Sequence, residues 1–187
     1  MSFRKLTLAA AVAMAMGAPA TVVADSEFGF GGTGTQASAD LSFRIIIPDF
    51  VFFQVGTVGN GNVDRVDFDL NAGGVESGDG NAVGATGGTG DGADGILAVE
   101  LRSNASNVSI AATGGNLTGQ TTAGNLPFAD ISASDGGTIT VPDFGATVNL
   151  AAGPYNLTDQ WVYSYDNTSV YAPDQYDGTV TYTVTTL

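Results

Sequence analysis

The stretch Thr179-Val180-Thr181-Tyr182-Thr183-Val184-Thr185 decides the fold class. Every second residue is apolar and every residue between is threonine. Successive side chains on an extended backbone point to opposite faces, so this run makes a strand with one apolar and one polar side. Threonine, valine and tyrosine all suit a pleated backbone. The same period of two recurs at Trp161, Tyr163 and Tyr165, at Leu97, Val99 and Leu101, and at Val108, Ile110 and Ala112.

Working back along the chain, Leu41, Phe43, Ile45 and Ile47 alternate with Ser42, Arg44 and Ile46, which reads as the first strand. Pro48 interrupts it, and Phe50, Phe52 and Val55 follow as a second short piece. Residues 63–70 read as the next strand, with Val66, Phe68 and Leu70 on one face and Asp67 and Asp69 on the other. Weaker strands are expected at residues 128–131, 138–141 and 146–150. Residues 72–95 hold few groups able to bury apolar surface and read as a long Gly/Asp-rich loop.

No segment after residue 24 keeps a helical period. Roughly eight to ten short strands separated by Gly, Asn, Asp and Pro make an all-β protein, a sandwich or barrel. Without helical crossovers, antiparallel pairing is expected. The expected fold is an antiparallel β-sandwich, immunoglobulin-like or jelly-roll-like, preceded by a signal-peptide helix. The expected organisation is a signal peptide at 1–24, a flexible Gly-rich lead at 25–40 and one domain at 41–187.

The signal reading rests on Arg4 and Lys5, an apolar run over residues 6–16, the breakers Gly17 and Pro19, and Val22-Val23-Ala24 before Asp25. The run is too short for a membrane span of roughly 20 residues. Cleavage after Ala24, or alternatively Ala20, places the protein in the periplasm, at the cell surface or outside, and the simple alanine-rich leader points to a bacterial protein. Cleavage after Ala24 leaves 163 residues, enough for a real core. Three arginines, Arg44, Arg65 and Arg102, then oppose nineteen carboxylates, a net charge of −16. Such a surface repels nucleic acid and anionic membranes.

The chain has no cysteine and no histidine, and no lysine follows the leader. Ser-His-Asp, Cys-His, Ser-Lys and Schiff-base chemistry are therefore excluded after cleavage, along with a P-loop and lysine isopeptide bonds. Zinc and haem lose their usual ligands. Gly29-Phe30-Gly31-Gly32-Thr33-Gly34 matches a dinucleotide fingerprint, but no strand precedes it and no helix follows. Paired carboxylates such as Asp67 and Asp69 read as a solvated strand face rather than a hydrolase pair. No enzyme is expected and no cofactor is required. Calcium is the one metal the composition suits, with Asp79, Asn81, Asp91 and Asp94 as candidate ligands, although neither an EF-hand nor a β-roll repeat is completed. Trp161, Tyr163 and Tyr165 read as a core strand, with a sugar-stacking platform as the alternative. Of five Asn-x-Ser/Thr triplets, at Asn104, Asn107, Asn116, Asn156 and Asn167, all are read as products of composition.

The final segment, Tyr176-Asp177-Gly178 followed by the alternating residues 179–187, resembles the closing strand of exported bacterial β-sandwich surface proteins, the pilin-like and spore-coat-U-like families. The resemblance implies a structural surface protein, a subunit of a fimbria-like filament or coat. It does not extend to the cysteine pair many pilins carry. A strand edge without lysine is also poorly guarded against addition of a neighbour's strand. Self-association or contact with other surface subunits is therefore expected, with Phe28, Phe30, Val180, Tyr182 and Val184 as assembly residues. The alternative function is a monomeric calcium- or carbohydrate-binding module.

Overall fold

A computed structural model describes residues 27–59 and 63–187. The expected leader lies outside these residues. The chain divides into two units, Met1–Ile47 and Pro48–Leu187.

In the first unit, the Glu27 carboxylate accepts hydrogen bonds from Ser38 N and Oγ at 3.3 and 2.9 Å. The rings of Phe28 and Phe30 meet edge to face at 4.6 Å. Residues 41–47, expected to be the first strand, have no regular secondary structure and, among the described residues, no ladder partner. Their apolar side chains stand in solvent: Leu41 is 74% exposed, Phe43 and Ile45 84%, Ile46 82% and Ile47 73%.

The second unit is built of antiparallel sheets. Its strands begin with β1 (Val51–Val55) and β2 (Arg65–Asp67), followed by one short helix, α1 (Leu70–Gly73). Then come β3 (Val83–Gly84), β4 (Gly87–Thr89), β5 (Ile96–Ser103) and β6 (Asn107–Gly114). β7 (Asn116–Gly119), β8 (Asn125–Pro127) and β9 (Ile131–Asp135) follow. The chain continues through β10 (Thr147–Ala151), β11 (Tyr155–Tyr165), β12 (Tyr176–Asp177) and β13 (Val180–Thr186). Single 3-10 turns occupy Gly90–Asp94 and Phe128–Asp130.

The largest sheet runs β1-β5-β11-β3, with β9 also on β11. Trp161 and Val162 pair with both β5 and β9, so those strands flank β11 on opposite sides. A second sheet runs β10-β6-β13, and smaller ones join β12-β7-β8 and β2-β4. Among the described residues no sheet closes into a barrel.

The core follows from the alternation. Leu97, Val99 and Leu101 of β5, Trp161 and Tyr163 of β11, and Val108 and Ile110 of β6 form one buried cluster. Both main sheets therefore feed a single core. Trp161 is fully buried and donates from Nε1 to the Ile139 carbonyl at 2.8 Å. Its ring lies 6.1 Å from Phe53 of β1 and 5.0 Å from Tyr182 of β13. A second cluster gathers Val83, Leu126 and Tyr165.

Besides residues 41–47, further expectations change, and the strand expected at 128–131 is a 3-10 turn, Phe128–Asp130, from which β9 begins at Ile131. The strand expected at 63–70 shrinks to β2, because Leu70 already opens α1, capped by the Asp69 carboxylate accepting from Asn71 N. Residues 72–95 are not a plain loop. They include β3, β4 and a 3-10 turn, and Gly92 is buried against the Arg65 backbone, an approach that leaves no room for a Cβ. Ile139, expected on a strand, is instead a loop residue plugged into the core.

Candidate functional site

β13 is uncharged and carries Val180, Tyr182 and Val184 on its inner face, all half-buried, with Thr181, Thr183 and Thr185 exposed outside. Its ladder runs to β6, from Val180↔Gly114 to Thr186↔Val108. The direction of the backbone groups follows from β6. Ala112 N donates to the Ala146 carbonyl at 3.1 Å, and the Ala112 carbonyl accepts from Gly145 N at 3.0 Å, so Ala112 faces β10. Backbone groups alternate sides along a strand, so Ser109, Ala111 and Thr113 face β13. Their partners Thr181, Thr183 and Thr185 bond inward to the sheet. The N–H and C=O groups of Val180, Tyr182, Val184 and Thr186 point the other way, and among the described residues no strand pairs with them. At the other margin, the same rule turns Thr147, Asn149 and Ala151 of β10 outward.

Tyr182 is tied to the core. Its hydroxyl lies 3.0 Å from that of Tyr163. Burial pushes the Tyr163 hydroxyl far above the usual phenol range, and the neighbouring Tyr182 adds to this. Burial also raises Tyr182, partly offset by the Tyr163 bond. β1 of the other main sheet comes within 8 Å of β13. Phe53 and Val55 of β1 are half-buried against the same core as Tyr182 and Val184.

Of the other expected assembly residues, Phe28 and Phe30 are 77% and 88% exposed in the first unit. Of the expected calcium ligands Asp79, Asn81, Asp91 and Asp94, Asp79 is engaged by amide donors. The Asp79 carboxylate accepts from Asn81 N and Nδ2 and from Asn167 Nδ2, each at 2.8 Å. The Asn81 backbone N–H and side-chain amide hold Asp79 below the usual carboxylate range. Asp91 N donates to Thr57 Oγ1 at 3.0 Å, and Asp94 is exposed on the same 3-10 turn. Among the described residues no three acidic side chains are grouped to hold a metal ion.

Three acids act as local clasps that sequence reasoning missed. A shallow surface depression is lined by Ala98, Gly136, Thr158, Asp159 and Gln160. In it, Asp159 accepts from Gly136 N, Gln160 N, Thr138 N and Ile139 N at 2.6–3.0 Å. Burial pushes this carboxyl up, but the donors outweigh it and hold it below its ordinary value. A carboxylate so occupied is a poor proton shuttle. Asp174 accepts from the N–H and hydroxyl groups of Thr121 and Thr122; the Thr122 N–H leads in holding it well below the usual range. Asp135 accepts from Gly137 N and Val141 N at 2.8 and 3.1 Å.

Asn167 is the other missed residue. It is fully buried at a left-handed φ of 50°. Its side chain donates to the Glu76 carbonyl and accepts from Gly78 N, both at 2.8 Å, pinning a loop more than eighty residues away. Its triplet is thus a structural clasp with a fully engaged amide.

Among the described residues no helix is long and apolar enough to cross a membrane. No protein-family model matches this chain, and neither a curated protein nor a solved structure is significantly similar to it.

Proposed function

We propose that this chain is an exported structural protein of the cell surface, a two-layer β-sandwich that joins to further subunits in a fimbria-like filament or coat. One observation carries the reading: the seven residues of β13 form an uncharged sheet margin whose outer hydrogen-bonding groups have no strand partner among the described residues. Folded proteins ordinarily guard such margins with lysine, proline, a bulge or a covering segment. The absence of lysine after the leader, together with Val180, Tyr182 and Val184 left half-buried, supports a margin that is covered by a neighbour. The site acids engaged in holding loops support a scaffold role over a hydrolytic one.

The test is proline on that margin. The N–H groups of Val184 and Thr186 point away from β6, so proline there deletes an outward donor and spares the ladder. Thr186→Pro is expected to leave the melting temperature within a few degrees, on the order of a 0.5 kcal/mol surface change, while lowering polymer yield. Val184→Pro is expected to lower yield further. Unchanged polymer formation by both folded variants contradicts the use of this margin.

A further inference from the structure

The sheet β10-β6-β13 has a second open margin, on the far side from β13. We infer that β10 pairs there with β10 of a second copy of this chain, antiparallel about a two-fold axis at Asn149, so that the two sheets become one. The pairing goes beyond the proposed assembly, which uses β13, and stands independently of it.

β10 presents free backbone groups. Val148 and Leu150 lie opposite Ile110 and Val108 and spend their N–H and C=O groups on β6. Thr147, Asn149 and Ala151 turn theirs outward, where among the described residues no strand meets them. All three are exposed. The usual guards of such a margin are missing as well: β10 holds no proline, and no charged residue occurs from Phe144 to Thr158.

The strand is complementary to itself. Directly opposite residues of an antiparallel pair share a face. With Asn149 on the axis, Asn149 meets its own counterpart and the two side-chain amides can bond across the outer face. Val148 meets the second copy's Leu150 on the core side, where both residues are half-buried. Thr147 meets the second copy's Ala151. This register engages all three outward residues, for about six backbone bonds in all. Moving the axis to Val148 leaves Ala151 with no opposite residue in β10.

Charge selects a second copy as the occupant. A two-fold pairing sets a strand against itself, so any charge it carried would meet its like. β10 carries none, in a chain whose net charge is −14, and the nearest carboxylates along the chain, Asp143 and Asp159, lie beyond its ends. A basic partner finds no acid on this strand to pair with. A five-residue ladder is smaller than the roughly 1,200–2,000 Å² contacts of stable complexes, so free copies pair transiently. Copies already held side by side in a coat pair far more often.

The chain has no cysteine, so one introduced thiol reports on contact between copies alone. Every variant is made in the full chain with Thr186→Pro, which separates the result from β13. Asn149→Cys is expected to give a disulfide dimer on mild oxidation, because opposite Cα atoms in such a pair stand about 5.5 Å apart, within disulfide reach. Thr147→Cys alone and Ala151→Cys alone are not, since each lies about 13 Å along the strand from its counterpart. Size-tagged Thr147→Cys mixed with untagged Ala151→Cys is expected to cross-link. Ala123→Cys, at an exposed bend, sets the background from random collision. Asn149→Asp in both members of the mixed pair is expected to lower the trapped yield about two- to fivefold, and Asn149→Asp in one with Asn149→Lys in the other to restore it. No dimer above background from Asn149→Cys overturns the inference. Equal trapping at all three β10 positions, or trapping of Thr147→Cys alone, overturns it too, in favour of collision or another register. A chain that never polymerises yet traps at Asn149 removes the proposed filament and upholds this pairing.

Discussion

Trp161 shows how much one side chain decides. It is fully buried, its ring tilted against those of Phe53 and Tyr182, with its N–H bonded to the Ile139 carbonyl. Trp161→Ala is expected to cost about 3–5 kcal/mol, the usual range for emptying a large aromatic site. Trp161→Phe keeps most of the area but leaves the Ile139 carbonyl without its donor, for about 1–3 kcal/mol. Urea denaturation of both variants checks this; a fully stable Trp161→Ala protein contradicts a core role. The inward position of Trp161 was legible from its alternation with Tyr163 and Tyr165. The role of Asn167 was not, because nothing local marks a residue whose partners at Glu76 and Gly78 lie so far away in sequence.

At the scale of elements, strands with strict alternation and a partner on the core side were read correctly: β5, β6, β13 and the second half of β11, whose first half from Tyr155 was not foreseen. Residues 41–47 show the limit of that reasoning. Alternation reports that a segment suits a strand, and pairing requires a margin to pair with, which the sequence alone does not locate. The segments around Phe128 and Ile139 failed for another reason. Their apolar residues are buried by a 3-10 turn and by a loop plug, and neither has a period. Loops in this protein are fastened by carboxylates, which predicts an acid-sensitive fold. Asp159 and Asp174 are held below their ordinary values by N–H donors, after burial opposes the shift at Asp159. A depressed folded value means that the stabilisation is present above the unfolded value, about 3.9, and is lost as pH falls through the folded value. Melting temperature should therefore be level from about pH 5 to 8 and fall below about pH 4. Asp174→Asn should melt lower at neutral pH and show a shallower acid decline. An equally steep decline contradicts the clasp.

For the whole molecule, five basic residues against nineteen carboxylates leave a net charge of −14, and such a chain repels its own copies. Association through apolar side chains and backbone bonds must overcome that repulsion. Salt shortens its range, to about 10 Å at 0.1 M. Polymer formation is thus expected to speed up with added salt, opposite to an assembly held by ion pairs. The most direct measurement is sedimentation velocity of the purified chain across rising concentration at physiological salt. The account predicts a broad, high-mass population that grows with concentration and with salt. A single sharp monomer boundary at every concentration would contradict it.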